Sequence, residues 1–269
     1  MIKWGLFSLV FSALIGVMGY LYFTQETRIF SGAPLAQDTS YPYLQRFEEL
    51  LLETGDGGKI SALHFKIPQP KGVVLYFHGR GGNLLSPWGQ FAFDFTSRGY
   101  DCFMMDYRSF GKSTGSLSEH ALLDDASRCY TYLADLYPED QIVIYGRSLG
   151  SGMATYVAAH THPKMLLLES PYFSLRDLIA KKTPYLPRCL ISLLLKYPIC
   201  TNLWIPDVLC PIYLIHTKKD EVIPYDSSVR LFSLMKDTNE IYLISIAGGR
   251  HQSLSHHSSY QFALDAILR

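Results

Sequence analysis

The stretch Ile142-Val143-Ile144-Tyr145-Gly146-Arg147-Ser148-Leu149-Gly150 decides the fold of this chain. Its first half is apolar and favours a strand, and the small residues 151–154 that follow favour the start of a helix. A Gly-x-Ser-x-Gly sequence in this context is typical of a sharp turn that lifts the serine above a sheet. The helix behind it offers unpaired N–H groups to a developing negative charge. We therefore predict that Ser148 is a nucleophile.

An acid follows Ser148 in the chain order that such a turn requires for a catalytic triad. The apolar run 211–215 predicts a buried strand, and Asp220 lies in the loop after it. Glu221 is the alternative. We prefer Asp220, because residues 222–224 turn the chain back toward the next predicted helix.

A histidine comes next, directly after the last apolar run. Residues 240–246 predict a strand, and His251 follows a glycine pair behind it. This position suits a general base that later acts as a general acid. His256 and His257 are the alternatives, but they fall near the start of the predicted C-terminal helix.

The loop after the early strand 73–77 predicts the oxyanion hole. It reads His78-Gly79-Arg80-Gly81-Gly82, a glycine-rich turn of the kind that supplies one backbone donor. We assign that donor to the N–H of Arg80, with Gly81 as the alternative. The second donor is the N–H of Leu149, the residue after the nucleophile. We expect His78 to orient or pack rather than react.

Two nucleotide-binding motifs are incomplete in this sequence. The run Gly111-Lys112-Ser113 lacks the glycine that a phosphate-binding loop needs, because Asp106 stands there. A dinucleotide fingerprint after Gly150 has Thr155 at its third glycine position. No Cys/His set has zinc spacing, and the net charge is +0. We therefore expect no metal, no organic cofactor and no nucleic-acid partner.

The N-terminus predicts a membrane anchor. Residues 4–23 carry no charge, which is enough helix to cross a bilayer core of roughly 30 Å, and no Ala-x-Ala cleavage site follows. We predict an uncleaved anchor over residues 1–23 and a linker over 24–45. Lys3 favours a cytoplasmic N-terminus, which places the rest of the chain on the outer, periplasmic or lumenal side.

The remaining residues, 46–269, predict one α/β domain. An antiparallel pair over 47–53 and 59–67 precedes parallel strands that alternate with helices, the clearest helix being 119–137. Residues 170–210 break this rhythm and predict a small lid insertion, whose Leu190, Leu193, Leu194 and Leu195 could line an acyl-binding surface or pack on the core. Cys189, Cys200 and Cys210 could hold one disulfide, which the sequence leaves open.

Together these motifs resemble a known family. The chain looks like a membrane-anchored serine α/β-hydrolase of the group with the bud-emergence-type hydrolases and the α/β-hydrolase-domain depalmitoylases, often labelled serine-aminopeptidase-like. The resemblance rests on six motifs: Phe77-His78-Gly79, residues 106–113, Gly146–Gly150, Glu169-Ser170-Pro171-Tyr172, residues 220–224 and Gly249-Arg250-His251. It departs from the family pattern where Ser109 and Thr217 replace glycines.

The resemblance implies an α/β-hydrolase fold with a mostly parallel, doubly wound sheet. It also implies Ser148, Asp220 and His251 as nucleophile, acid and base. Our leading hypothesis is cleavage of ester or thioester bonds in small-molecule or lipid substrates with an apolar acyl chain. An aminopeptidase-like peptidase and a non-catalytic membrane scaffold are the alternatives. The scaffold is disfavoured because such chains often lose a triad member, and this one has all three.

Overall fold

The computed structural model describes residues 2–235 and 240–269, and the side chains of residues 2–11, 13 and 14 lie outside that description. The strands are β1 (Phe47–Glu53), β2 (Lys59–Phe65), β3 (Val73–Phe77), β4 (Asp101–Met105), β5 (Ile142–Arg147), β6 (Met165–Glu169), β7 (Ile212–Thr217) and β8 (Ile241–Ile246). The helices are α1 (Ile2–Ile29), α2 (Ala92–Thr96), α3 (Glu119–Ala134), α4 (Gly150–Ala159), α5 (Leu175–Lys182), α6 (Arg188–Leu194), α7 (Thr201–Trp204), α8 (Asp226–Met235) and α9 (Ser258–Ile267).

All eight strands form one sheet in the order β1-β2-β4-β3-β5-β6-β7-β8. The β1–β2 and β2–β4 pairs are antiparallel, and every other pair is parallel. Strands β3 to β6 are buried throughout, as expected for parallel strands covered by helices on both faces. This arrangement confirms the predicted α/β-hydrolase fold with its antiparallel N-terminal pair.

Successive side chains of each strand pack alternately into two separate hydrophobic layers, one on each face of the sheet. In β3, Leu75 and Phe77 belong to the layer under α3 and α4, whereas Val74 and Tyr76 belong to the layer under α2 and α9. The sheet is therefore held between two apolar layers, and the carboxyl ends of its parallel strands share one edge. Loops that leave this edge carry the predicted site residues.

The N-terminal helix is longer than the predicted anchor, since α1 ends at Ile29 rather than at residue 23. The residues predicted as a linker thus complete α1 and then pair with loops of the domain, through Gly32 with Gly82 and Pro34 with Gly111. Within the part of the chain that the structure describes, no helix is both long and apolar enough to cross a membrane. Most side chains of the predicted anchor, residues 1–23, lie outside the described part of the structure.

The insertion between β6 and β7 holds α5, α6 and α7, of which α6 packs against α5 and α7 packs against α4. Its α6 leucines do not line the cavity described below, and Leu193 is 75% exposed. All five cysteines are free thiols, so no disulfide joins Cys189, Cys200 and Cys210.

Candidate active site

Three predicted side chains meet above the carboxyl edge of the sheet. The Oγ of Ser148 lies 3.0 Å from Nε2 of His251, and Nδ1 of His251 lies 2.7 Å from Oδ2 of Asp220. Ser148 follows β5, Asp220 follows β7 and His251 follows β8. Residues far apart in sequence thus form one continuous hydrogen-bonded chain, in which the imidazole can accept the serine proton while its other nitrogen donates to the carboxylate.

The turn at Ser148 has the strained backbone expected of a nucleophile elbow. Ser148 has a φ of 51°, in the left-handed region that non-glycine residues rarely adopt. A Cβ at Gly146 would come within 2.5 Å of the Ala154 side chain and 2.7 Å of the Gly150 carbonyl, so only glycine lets α4 cross this close to β5. The Ser148 N–H donates to the Glu169 carbonyl on β6 at 2.8 Å, which ties the turn to the neighbouring strand.

Asp220 is held ionised by a dense set of donors. Its Oδ1 accepts from the N–H groups of Val222 and Ile223, at 2.9 and 2.7 Å. Burial opposes ionisation, but hydrogen bonds from His216 and His251 outweigh it, so the pKa of Asp220 lies well below its ordinary value. The carboxylate is therefore an acceptor at every pH at which the protein would work.

A second imidazole reaches the same carboxylate. His216, fully buried at the end of β7, places Nε2 at 3.2 Å from Oδ2 of Asp220 and Nδ1 at 2.7 Å from Oγ of Ser228. His216 therefore contacts the same carboxylate oxygen as His251 and helps to fix the acid in place. The sequence predicted no role for His216, whose only local signal was its position at the end of the strand that precedes the acid loop.

The alternative site residues occupy other positions. Glu221 accepts a hydrogen bond from the backbone N–H of His251 at 3.3 Å and does not contact the imidazole ring. His257 caps α9 by accepting from the N–H of Ser259 at 3.2 Å. His256 lies against the Phe91 ring, 6.0 Å between centroids, on the cavity wall.

The loop after β3 faces Ser148. Its hydrogen bonds distinguish the two amides that could be its oxyanion donor, those of Arg80 and Gly81. The N–H of Gly81 donates to the Phe30 carbonyl at 2.9 Å, so it is already used. Within the described chain, the N–H groups of Arg80 and Leu149 donate to no protein acceptor. These two amides are therefore the ones available to an oxyanion, and Trp88 steadies the loop by donating to the Gly81 carbonyl at 2.6 Å.

Arg147, directly before the nucleophile, is a buried cation that sequence reasoning left without a role. Its Nε lies 3.3 Å from Oε1 of Glu169, and its guanidinium lies over the rings of Trp88 and Phe91, at 5.3 and 4.9 Å from their centroids. Its Nη2 donates to the His251 carbonyl at 3.5 Å and to the Gln252 carbonyl at 3.1 Å. It thereby joins the serine turn to the loop that carries the histidine.

A cavity of about 660 Å³ opens over Ser148. One wall is apolar and comes mainly from α5, through Leu175, Leu178 and Ile179. Cationic side chains also border it, and no described lining residue is an aspartate or a glutamate. The cavity suits an apolar chain beside an anionic or neutral group better than it suits a cation. Its bordering cations are Arg28, Arg80, Arg147 and Lys182.

Comparisons with known proteins agree with this fold. The model of the α/β hydrolase fold family matches residues 72–188. Protein bem46 of Schizosaccharomyces pombe is 27% identical over 81% of this chain and 77% of its own length. The lysophosphatidylserine lipase ABHD12 of Danio rerio is 28% identical over 63% of this chain but only 48% of its own length.

Among solved structures, an esterase from Pyrococcus furiosus superposes with a TM-score of 0.73 at 18% identity, covering 89% of this chain and 97% of the esterase. At that identity the likeness concerns the fold. With the family match, the sequence relatives and the sheet topology, it leads to one conclusion. The chain has the α/β-hydrolase fold and is similar in sequence to bem46 and ABHD12.

Proposed function

We propose that this hydrolase is a serine enzyme that cleaves ester or thioester bonds of substrates with an apolar acyl chain, through an acyl-enzyme intermediate. The observation that carries the proposal is the continuous contact from Ser148 through His251 to Asp220, with separations of 3.0 and 2.7 Å. Such a chain makes a serine hydroxyl nucleophilic near neutral pH without a metal or an organic cofactor.

In the first half-reaction, His251 removes the proton of Ser148 as Oγ attacks the acyl carbon. The N–H groups of Arg80 and Leu149 hold the resulting oxyanion, and Asp220 stabilises the imidazolium. The tetrahedral intermediate collapses when His251 returns the proton to the leaving oxygen or sulfur, and the acyl group stays on Ser148. Water then attacks the acyl-enzyme with His251 as base, which releases the carboxylic acid and restores the serine.

The lining of the cavity supports a single-chain amphiphile as the substrate. Leu175, Leu178 and Ile179 would take the acyl chain, while Arg28 and Lys182 at the border would favour a leaving group that carries negative charge. ABHD12 is named a lysophosphatidylserine lipase, and a lysophospholipid has this combination of one chain and an anionic headgroup. Acyl esters of this kind are therefore our first choice of substrate.

The decisive experiment uses purified protein, a fluorophosphonate probe and p-nitrophenyl esters of graded chain length. We expect labelling and turnover in the wild type, and loss of both in Ser148→Ala at an unchanged melting temperature. Retention of full esterase activity in Ser148→Ala would refute the mechanism. Absence of labelling in folded wild-type protein would favour a non-catalytic scaffold instead.

A peptidase of the aminopeptidase type remains a second reading with less support. Such an enzyme binds the charged amine of its substrate, which requires a carboxylate near the nucleophile. The described residues around the cavity supply none, and Arg80 and Lys182 would repel the amine. Aminoacyl anilides assayed beside the esters separate the two readings, because we expect hydrolysis of the esters alone.

We also propose that residues 1–23 anchor the enzyme, with the N-terminus in the cytoplasm and the catalytic domain on the other side of the membrane. The support is the uncharged run over residues 4–23 and the charge of Lys3. Carbonate extraction tests the anchor, and protease protection in sealed vesicles tests the orientation. Release of the full-length protein by carbonate would end this proposal.

A further inference from the structure

The chain that follows α1 is bonded directly to the oxyanion loop. The Phe30 carbonyl accepts from the Gly81 N–H at 2.9 Å, and the Ala33 N–H donates to the Gly82 carbonyl at 3.2 Å. Outside the backbone, Arg80 donates from its guanidinium to Oγ of Ser31 at 3.0 Å. Residues 30–33 therefore lie along the loop like a short extra strand, next to the amide that we assign to the oxyanion.

The same segment is fixed on its other side by the loop after β4. The Ala33 carbonyl accepts from the N–H of Gly111 at 3.0 Å, and the N–H of Leu35 donates to the carbonyl of Gly111 at 2.8 Å. Nδ2 of Asn83 also donates to the Ala33 carbonyl, at 2.7 Å. With bonds on both sides, residues 30–35 cannot shift without disturbing the oxyanion loop.

The last turns of α1 bind the lid. Oε1 of Gln25 accepts from the N–H of Lys196 at 2.8 Å, and its Nε2 donates to the Leu194 carbonyl at 3.0 Å. The hydroxyl of Tyr197 donates to Glu26 at 2.8 Å. Gln25 is only 8% exposed, so this is a packed junction and not a chance surface contact.

We propose that residues 25–33 are a positioning element of the active site, which sets the Arg80 amide in the oxyanion hole and couples its placement to the lid. The proposal rests on the serine mechanism proposed above. One peptide separates the Gly81 N–H, held by Phe30, from the Arg80 N–H that would face the oxyanion. A displacement of the α1 end is therefore passed to the donor almost undiminished, and misplacement by about 1 Å can cost 10²-fold in rate.

Gly32 offers a way to move this segment without touching the site. A Cβ there would collide with the Ser109 carbonyl and come within 2.7 Å of the Phe110 ring, so Gly32→Ala must push residues 30–33 aside. Gly19→Ala, in α1 upstream of this segment, is the control, because nothing lies within 4 Å of a Cβ at that position. Both variants are made in the full chain.

We expect kcat of Gly32→Ala for a p-nitrophenyl ester to fall about 10- to 100-fold, somewhat less than the roughly 10²- to 10³-fold loss when an oxyanion donor is removed. KM should change much less. Affinity for a trifluoromethyl ketone, which forms an oxyanion on Ser148, should fall in parallel with kcat/KM, whereas a merely structural lesion would leave the active fraction with normal affinity. Gly19→Ala should match the wild type in all three quantities.

An unchanged kcat and ketone affinity in folded Gly32→Ala would overturn the proposal while leaving the serine mechanism intact. If that variant does not fold, amide exchange on the wild type decides. Phosphonylation of Ser148 fills the oxyanion hole and should slow exchange in peptides that cover residues 30–35. Equal exchange there before and after labelling would also overturn the coupling, and failure to label at all would instead count against the serine mechanism.

Discussion

Replacing Arg147 by methionine tests the buried network that joins the serine turn to the histidine loop. Arg147 is 4% exposed and its ion-pair partner Glu169 is 1% exposed, so the substitution leaves a buried carboxylate without its cation. Tyr145 and Tyr260 still reach Glu169, but neither supplies a positive charge. The change therefore removes a charge where solvent cannot replace it.

The expected loss of stability follows from this burial. Breaking a buried ion pair by removing one partner costs about 3 to 5 kcal/mol in the free energy of unfolding. In a chain of this size each kcal/mol shifts the melting temperature by about 2 to 4 °C, so we expect a drop of roughly 6 to 20 °C. The double variant Arg147→Met with Glu169→Met should recover much of it, because no unpaired charge remains.

Activity should respond differently from stability. Both the single and the double variant lose the hydrogen bonds from Arg147 to the carbonyls of His251 and Gln252, which hold the imidazole over the serine. We expect kcat/KM to fall about 10- to 100-fold in both, because misplacement of a catalytic group by about 1 Å has a cost of this size. Stability is thus restored in the double variant, but activity is not.

The assay combines thermal denaturation with ester hydrolysis, measured well below the lowest melting temperature. Arg46→Met serves as the control, because this arginine is exposed and its side chain has no described contact near the site. The reasoning is refuted if Arg147→Met keeps the melting temperature and the kcat/KM of the wild type. It is refuted in part if the double variant regains full activity.

Two further substitutions probe the acid and its loop. Asp220→Asn should lower kcat about 10⁴-fold, because the amide favours the wrong imidazole tautomer. The pKa of Asp220 is depressed in the fold, so its contribution to stability is fully present above about pH 4 and is lost as the pH falls further. The gap in melting temperature between wild type and Asp220→Asn should therefore be constant from pH 7 to pH 5 and narrow below about pH 4; a gap that widens on acidification would contradict this. Thr217→Val should lower kcat several-fold with little change in KM, since the hydroxyl of Thr217 donates to the carbonyl of Gly248 at 2.9 Å or that of Gly249 at 3.1 Å, and so ties the acid loop to the histidine loop. Equal kcat in Thr217→Val and wild type would show that this tie is dispensable.

The structure also shows what Ser109 and Thr217, the two departures from the family pattern, do in this protein. Ser109 stands where the family has glycine and keeps the left-handed backbone, with a φ of 71°. Thr217 replaces another glycine, and its hydroxyl makes the tie just described. Both departures are visible in the sequence, but the partners of Thr217 lie in the loop after the neighbouring strand and could not be predicted from the residues around Thr217.

Local patterns in the sequence were enough to place the strands, the turn at Ser148 and the chain order of Ser148, Asp220 and His251. These features depend on apolar periodicity and on glycines within a few residues of one another. Such signals are local, so the sequence of the segment is enough to show them. The mostly parallel sheet followed from the alternation of strands and helices. Residues that directly follow parallel strands must lie at the same carboxyl edge of the sheet. For this reason the convergence of the three site residues could be predicted.

Only the tertiary structure decided what surrounds these residues. It brought His216 to the carboxylate oxygen of Asp220 that His251 also contacts, buried Arg147 against Glu169, and placed an apolar wall from α5, not α6, beside the nucleophile. It also set the chain after α1 against the oxyanion loop, where the sequence predicted a linker. Each of these contacts joins segments that are distant in sequence. No local pattern predicts them, because they form only when the sheet has assembled and its loops pack against one another.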